Sequence, residues 1–248
     1  MSELSKVVAD RLSVGEAVSS AIEVQGARVI ERLGGSGLAA IPRELSFAAL
    51  LAWLLAVLGT ASEALRARDR ALAAEAADDA APRAARDAAT LALRERMLRT
   101  TGIVSGVFGV PFSAGLGLER ALAPRPDQLA LQAADVSSRL RAARAPEPDG
   151  EGVRVDLAVL ADRLDAARAP LDEALAAVKR EEREYQTALV ERDRADEAWG
   201  RTYIGVAEIF TGLCVLAGEQ ELADRVRPTA RKRAGMIDEP VSPAEPTS

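Results

Sequence analysis

The chain contains no histidine among its 248 residues. Imidazole is the usual general base near neutral pH and the commonest metal ligand in proteins. Its absence excludes Ser–His and Cys–His nucleophile pairs, and every zinc, haem or di-iron site that uses histidine. We therefore predict that the chain is not an enzyme and that it holds no cofactor.

Aromatic residues are also scarce, at 3% of the chain, and Cys214 is the single cysteine. Aromatic and β-branched residues are too few for a large β-sheet. One cysteine cannot form a disulfide within the chain. Because Cys214 lies in an apolar helical stretch, we expect it to be a small core residue.

Positive charge is in the minority, since the formal net charge is −6 at pH 7. This balance argues against a general nucleic-acid-binding protein. Residues 1–10 contain no basic segment followed by an apolar run, so the sequence predicts no secretory signal and a cytoplasmic location.

The sequence is rich in alanine and in charged helix-forming residues, within a hydrophobic content of 48%. Alanine has the highest helix propensity and little bulk, which favours long, closely packed helices. We predict an all-α fold, a mainly antiparallel bundle of about five or six helices. A single bundle domain is expected over residues 1–236, followed by a disordered tail over residues 237–248, where prolines recur and large core residues are missing.

A seven-residue apolar repeat runs from Leu171 to Ala217 in alternating steps of four and three. Such a repeat is typical of coiled-coil packing. It predicts one coiled-coil-like helix about fifty residues long, beginning just after Pro170 and ending before Gly218. A helix of this length must pack against a neighbour or a second copy of the chain. The candidate interface with a protein partner consists of the aromatic residues of the repeat, namely Tyr185, Trp199, Tyr203 and Phe210.

Two stretches without charged residues occupy residues 45–62 and 100–118. Each approaches the length of about twenty apolar residues that spans a bilayer. Either they pack on each other and on the uncharged residues 209–218, or they enter a membrane as a hydrophobic hairpin. Pro111 and Gly115 interrupt the second stretch, which favours packing in a core. The candidate membrane contacts are Phe47, Leu51, Trp53, Leu54, Val107 and Phe108.

A weak internal repeat relates residues 43–128 to residues 153–230. Glu-Ala-Leu occurs in both parts, at residues 63–65 and 173–175, and Arg-Pro follows in both, at residues 125–126 and 227–228. The separations differ, so an alignment needs gaps, and alanine-rich helices resemble one another easily. A true duplication predicts two helical hairpins related by a pseudo-twofold axis.

Two charged clusters have alternative interpretations. Acidic residues near Glu181 alternate with arginines at helical spacing, which is typical of a solvated ion-pair face; a metal site made only of carboxylates is the alternative. A basic cluster near the C-terminus has two interpretations. Its charges either stabilise the C-terminal end of a helix through the helix dipole, or they contact an anion such as a phosphate, an acidic lipid or an acidic partner. The members of the basic cluster are Arg225, Arg227, Arg231, Lys232 and Arg233.

The missing catalytic chemistry and the long apolar repeat together predict a non-enzymatic interaction or structural protein. It would act through a helical surface, with a protein partner or with further copies of itself. The alternative is a membrane-active bundle that inserts the two uncharged stretches as a hydrophobic hairpin.

Overall fold

The fold is all-α, as predicted. A computed structural model describes residues 4–35, 45–78, 80–144, 146 and 154–233, and these residues contain no strand. Two of their helices, α4 and α8, have six residues or fewer, which leaves six longer ones. The helices are α1 (Lys6–Gly35), α2 (Phe47–Asp78), α3 (Ala80–Phe108), α4 (Val110–Gly115), α5 (Pro126–Ala142), α6 (Leu157–Leu216), α7 (Gln220–Val226) and α8 (Ala230–Arg233).

The chain divides into two compact units, each with its own hydrophobic core. Unit 1 comprises Met1–Ala74 and Gln186–Ser248, and unit 2 comprises Glu75–Tyr185. The two uncharged stretches fall into different cores, because Leu54 belongs to the core of unit 1 and Val104 to that of unit 2. The expectation that they share one core is therefore wrong. The predicted tail, residues 237–248, lies outside the described residues, and the internal repeat stays a prediction.

The core of unit 1 is formed by α1, α2, the C-terminal half of α6 and α7. The indole of Trp199 donates a hydrogen bond to Ser62 Oγ (3.1 Å), and Arg68 pairs with Glu191 (2.6 Å). Residue numbers rise along α2 while they fall along α6, so these two helices are antiparallel. The start of α1 is fixed by α2, since Asp69 accepts hydrogen bonds from the backbone N–H and the hydroxyl of Ser5. These two bonds tie the residue that precedes α1 to the side of α2.

The core of unit 2 is formed by α3, α4, α5 and the N-terminal half of α6. The Ser137 hydroxyl donates to Asp165 (2.7 Å), and Arg141 pairs with both Asp162 (2.8 Å) and Asp165 (2.6 Å), which joins α5 to α6. Gly117 adopts a positive φ of 84° in the turn after α4, a conformation that favours glycine.

The long helix differs from its predicted boundaries at its start. α6 has 60 residues and contains Pro170 in its interior, whereas we expected the helix to begin after that proline. A proline inside a helix removes one backbone hydrogen bond. The burial of Leu160, Leu164 and Leu171 on both sides of Pro170 offsets that loss. Pro126, by contrast, is the first residue of α5, a position that suits proline.

Candidate interaction surfaces

The aromatic residues predicted to form a partner interface are mostly core residues. Trp199, Tyr203 and Phe210 are fully buried in unit 1, where the Trp199 and Tyr203 rings stack with centroids 5.2 Å apart. An alanine side chain in place of Gly15 would lie 3.1 Å from the Trp199 ring, so α1 and α6 approach closely there. These three aromatic side chains are therefore not on the surface of the folded chain. Tyr185, in unit 2, is half-buried.

Of the six candidate membrane contacts, only Trp53 is exposed. Its side chain is 57% exposed, whereas Leu51, Leu54 and Phe108 are buried and the remaining two are half-buried against the cores of their units. The two half-buried side chains are Phe47 and Val107. The helical period explains this division, because residues three or four positions apart share a face and Trp53 lies on the opposite one.

Trp53 is part of a larger uncharged surface, which we call the α2 outer face. It consists of Trp53 and the small exposed residues on the same side of the helix. Within Phe47–Phe108 there is a window long and apolar enough to cross a membrane, and only 22% of that window is buried. The helix in the core of a globular protein would bury most of such a window, so this exposure requires an explanation. The α2 outer face comprises Ala49, Ala52, Trp53, Ala56 and Thr60.

Exposed aliphatic side chains also lie on α3, on α4 and on α6, where the sequence favoured buried packing. In unit 2, Ile103 and Val110 are 38% and 58% exposed; in unit 1, Ile209 and Leu216 are 42% and 54% exposed. Each pair lies within a segment that contains no charged residue. Hydrophobic spacing alone could not reveal these positions, since it does not distinguish an apolar side chain in a core from one on the surface.

The C-terminal basic cluster is partly engaged within the chain. Lys232 donates through Nζ to the backbone carbonyls of Arg225 and Arg227. Arg227 also pairs with Asp224 at 3.4 Å. The Lys232 ammonium thus satisfies carbonyls at the end of α7, which is the helix-end role considered from the sequence. The side chain of Arg233 lies outside the described residues, and an anion contact stays a prediction.

Three carboxylates meet in unit 2, from Glu75 of α2 and from Glu181 and Glu184 of α6. Their nearest oxygen atoms lie within 4.8 Å of one another. The sequence placed Glu181 and Glu184 on a charged helix face but did not show that Glu75 joins them. Carboxylate oxygens are suitable ligands for hard cations. Such exposed acidic groups are equally common on solvated surfaces, and nothing else at this position points to a ligand.

Cys214 is fully buried in unit 1, as expected of a core residue. Burial, together with the negative charge of Glu219, raises the pKa of its thiol to about 11. The thiolate is the reactive form of cysteine. The thiol is therefore protonated at neutral pH and shielded from solvent.

No family model, no curated protein and no solved structure matches this chain. Its function must therefore be inferred from the surfaces described above. Among these, the α2 outer face combines an exposed tryptophan with neighbouring uncharged side chains.

Proposed function

We propose that the chain is a non-enzymatic helical interaction protein, and that it binds a further copy of itself through the α2 outer face. The observation that carries the proposal is the exposure of Trp53 at the centre of an uncharged helical surface. The absence of histidine and the protonated, buried state of Cys214 are consistent with a role that involves no catalysis.

Tryptophan contributes strongly to protein interfaces because its large apolar ring removes much surface from water when it is covered. The side chains around Trp53 are alanines and a threonine, which let another helix approach the ring closely. A surface of this kind is more favourable when covered than when hydrated, since each Å² of apolar area removed from water contributes about 25 cal/mol.

Sedimentation equilibrium over a concentration series tests this proposal. The wild-type chain should associate reversibly. Trp53→Glu should weaken the association by about 2 kcal/mol or more, because it removes the aromatic contact and places a charge in the interface. The control is Val24→Glu, which puts the same charge on α1 at a position 69% exposed, and it should associate as the wild type does. A wild-type chain that is monomeric at every concentration would overturn the proposal.

A second candidate function, membrane binding, is favoured by one specific observation. The apolar window within Phe47–Phe108 is long enough to cross a bilayer and is only 22% buried. In this form of the hypothesis, α2 would lie in or enter the lipid, with Trp53 at the interface between headgroups and acyl chains.

Flotation with vesicles of phosphatidylcholine alone, and of phosphatidylcholine with phosphatidylglycerol, separates the two functions. Co-flotation that is lost in Trp53→Glu and kept in Val24→Glu would favour membrane binding as the function of the α2 outer face. If the chain floats with neither vesicle type, the membrane function is excluded.

A further inference from the structure

α2 and the N-terminal half of α6 bury leucines in the same pattern. Four leucines of α2 are buried in unit 1, and each has a buried leucine as its counterpart in α6, in unit 2, at one constant separation along the chain. The α2 leucines are Leu51, Leu54, Leu58 and Leu65. Their counterparts are Leu157, Leu160, Leu164 and Leu171. The two stretches of helix therefore pack in the same register.

The same separation relates α3, in unit 2, to the C-terminal half of α6, in unit 1. The buried α3 residues are Leu93, Met97, Thr100, Val104 and Phe108. Their counterparts, which are all buried, are Trp199, Tyr203, Val206, Phe210 and Cys214. Charged residues on the outside correspond as well. Arg86 pairs with Asp87 at 2.7 Å, and the counterparts of these two residues, Arg192 and Asp193, pair at 3.2 Å.

α1 and α5 complete the correspondence, at a separation that differs from that of the long helices by a single residue. Buried residues of α1 follow one another in steps of four, three and four, and α5 repeats these steps. The α1 residues are Ile22, Gly26, Val29 and Leu33, and the α5 residues are Leu129, Ala133, Val136 and Leu140. Unrelated alanine-rich helices would not be expected to keep the same register in three helix pairs. We call α1 to α3 the first repeat, and α5 with α6 the second repeat.

The two repeats differ on the outer side of α2. At the constant separation, Ala56 of the α2 outer face corresponds to Asp162 of α6. Asp162 is exposed and pairs with Arg141 of α5 at 2.8 Å. The same position in the same packing is therefore charged and solvated in unit 2, and uncharged in unit 1.

Unit 2 thus shows what this packing requires at that position. It buries the same leucines with a carboxylate outside them, so the core does not require an uncharged outer side. The α2 outer face also has the larger apolar side chain, since Trp53 is 57% exposed and its counterpart Val159 is 42% exposed. Packing within unit 1 does not explain this face, whereas a contact with another molecule does.

We infer that the chain is a duplicated helical module in which only the first repeat has a binding face, and that Ala56, where the second repeat has a charge, determines this difference. The inference rests on the proposed function, because it requires a chain that associates through the α2 outer face.

A carboxylate at position 56 would oppose association in two ways. It would lose its water in the contact, and the α2 outer face offers no partner of opposite charge. It would also lie on a surface that meets the same surface of the second copy, so that like charges would approach each other. Alanine has neither effect.

A single face in each chain also limits the size of the assembly. A self-complementary surface pairs two chains by a two-fold contact and is then covered. Two equivalent faces in each chain would instead allow growth beyond a pair. We therefore expect association to stop at two chains.

The test is sedimentation equilibrium of the full chain with Ala56→Asp, which gives α2 the side chain of its counterpart. The wild type should reach a plateau at two chains, and Ala56→Asp should raise the dissociation constant about tenfold. Two control variants should associate as the wild type does. Ala92→Asp makes the same substitution at an exposed alanine of α3, with the same loss of helix propensity. Val159→Glu adds a charge to the counterpart of the α2 outer face in unit 2.

Three outcomes would overturn the inference. If the wild-type chain is monomeric at every concentration, the proposed function fails as well. If Trp53→Glu abolishes association and Ala56→Asp leaves it unchanged, the proposed function stands, but residue 56 does not determine binding. If Val159→Glu weakens association, or the wild type grows beyond two chains, binding is not confined to the first repeat.

Discussion

Gly15 and Gly200 show how a single residue type acts differently in the same core. A Cβ at Gly15 would lie 3.1 Å from Cζ2 of Trp199, whose ring is buried and stacked on Tyr203. A Cβ at Gly200 would have no neighbour within 4 Å. A side chain at the first position would crowd the buried Trp199 ring, whereas the second glycine only weakens its helix.

We expect Gly15→Ala to lower the free energy of unfolding by about 1 kcal/mol, because overpacking against the Trp199 ring exceeds the gain in helix propensity. Gly200→Ala, its matched control, should raise that free energy by about 0.5–1 kcal/mol. Urea unfolding followed by circular dichroism measures both. If both variants are stabilised, α1 does not pack as closely on Trp199 as described.

The Asp165 carboxylate makes the stability of unit 2 depend on pH. Burial acts to raise its pKa, but hydrogen bonds from Ser137 and Arg141 outweigh burial and hold the pKa below the ordinary value of 3.8. A lowered pKa means that folding favours the ionised form. The stabilisation is therefore complete above the ordinary pKa and is lost as the pH falls through the folded-state pKa.

Asp165→Asn should accordingly lower the melting temperature at neutral pH. The gap to the wild type should begin to narrow near pH 3.8 and close only below the folded-state pKa, which is lower still, since the wild-type carboxylate is then protonated as well. Asp135→Asn, which removes an exposed pair with Arg139, is the control and should change little. A gap that stays constant with pH would show that the charge of Asp165 is not what stabilises the fold.

At the scale of helices, α6 is the element that local sequence rules describe least well. Pro170 lies inside it, where the missing N–H leaves one carbonyl of the preceding turn without its helical partner. The leucines on both sides are buried in the core of unit 2, and their packing keeps the helix continuous.

Replacing this proline should therefore stabilise the chain. We expect Pro170→Ala to raise the free energy of unfolding by about 1–3 kcal/mol, because it restores a backbone hydrogen bond without touching the core. Pro126→Ala, at the first position of α5, should have little effect, since no helical bond is missing there. Thermal unfolding followed by circular dichroism gives the comparison. A Pro170→Ala variant no more stable than the wild type would contradict this view of α6.

Apolar spacing was sufficient to predict the long helix α6 and its end before Gly218, because a helical stripe is a local property of the sequence. It could not predict which stripes share a core. The stretches containing Leu54 and Val104 both lack charged residues, yet they belong to different cores. Nor could it separate the buried Trp199 from the exposed Trp53, because burial depends on contacts between residues far apart in the chain.

At the scale of the whole molecule, the two tryptophans report on different environments. Trp199 is fully buried, whereas Trp53 is 57% exposed on the α2 outer face. Since the chain contains only these two, the part of its fluorescence that acrylamide can quench arises from Trp53. The quenchable fraction of the fluorescence therefore shows directly whether the α2 outer face is covered.

The decisive measurement is acrylamide quenching of the wild-type chain as its concentration is raised. We expect the quenchable fraction to fall along with the growth of the associated species, because a second copy then covers Trp53. Association that leaves Trp53 as quenchable as in the dilute chain would show that the α2 outer face does not form the contact.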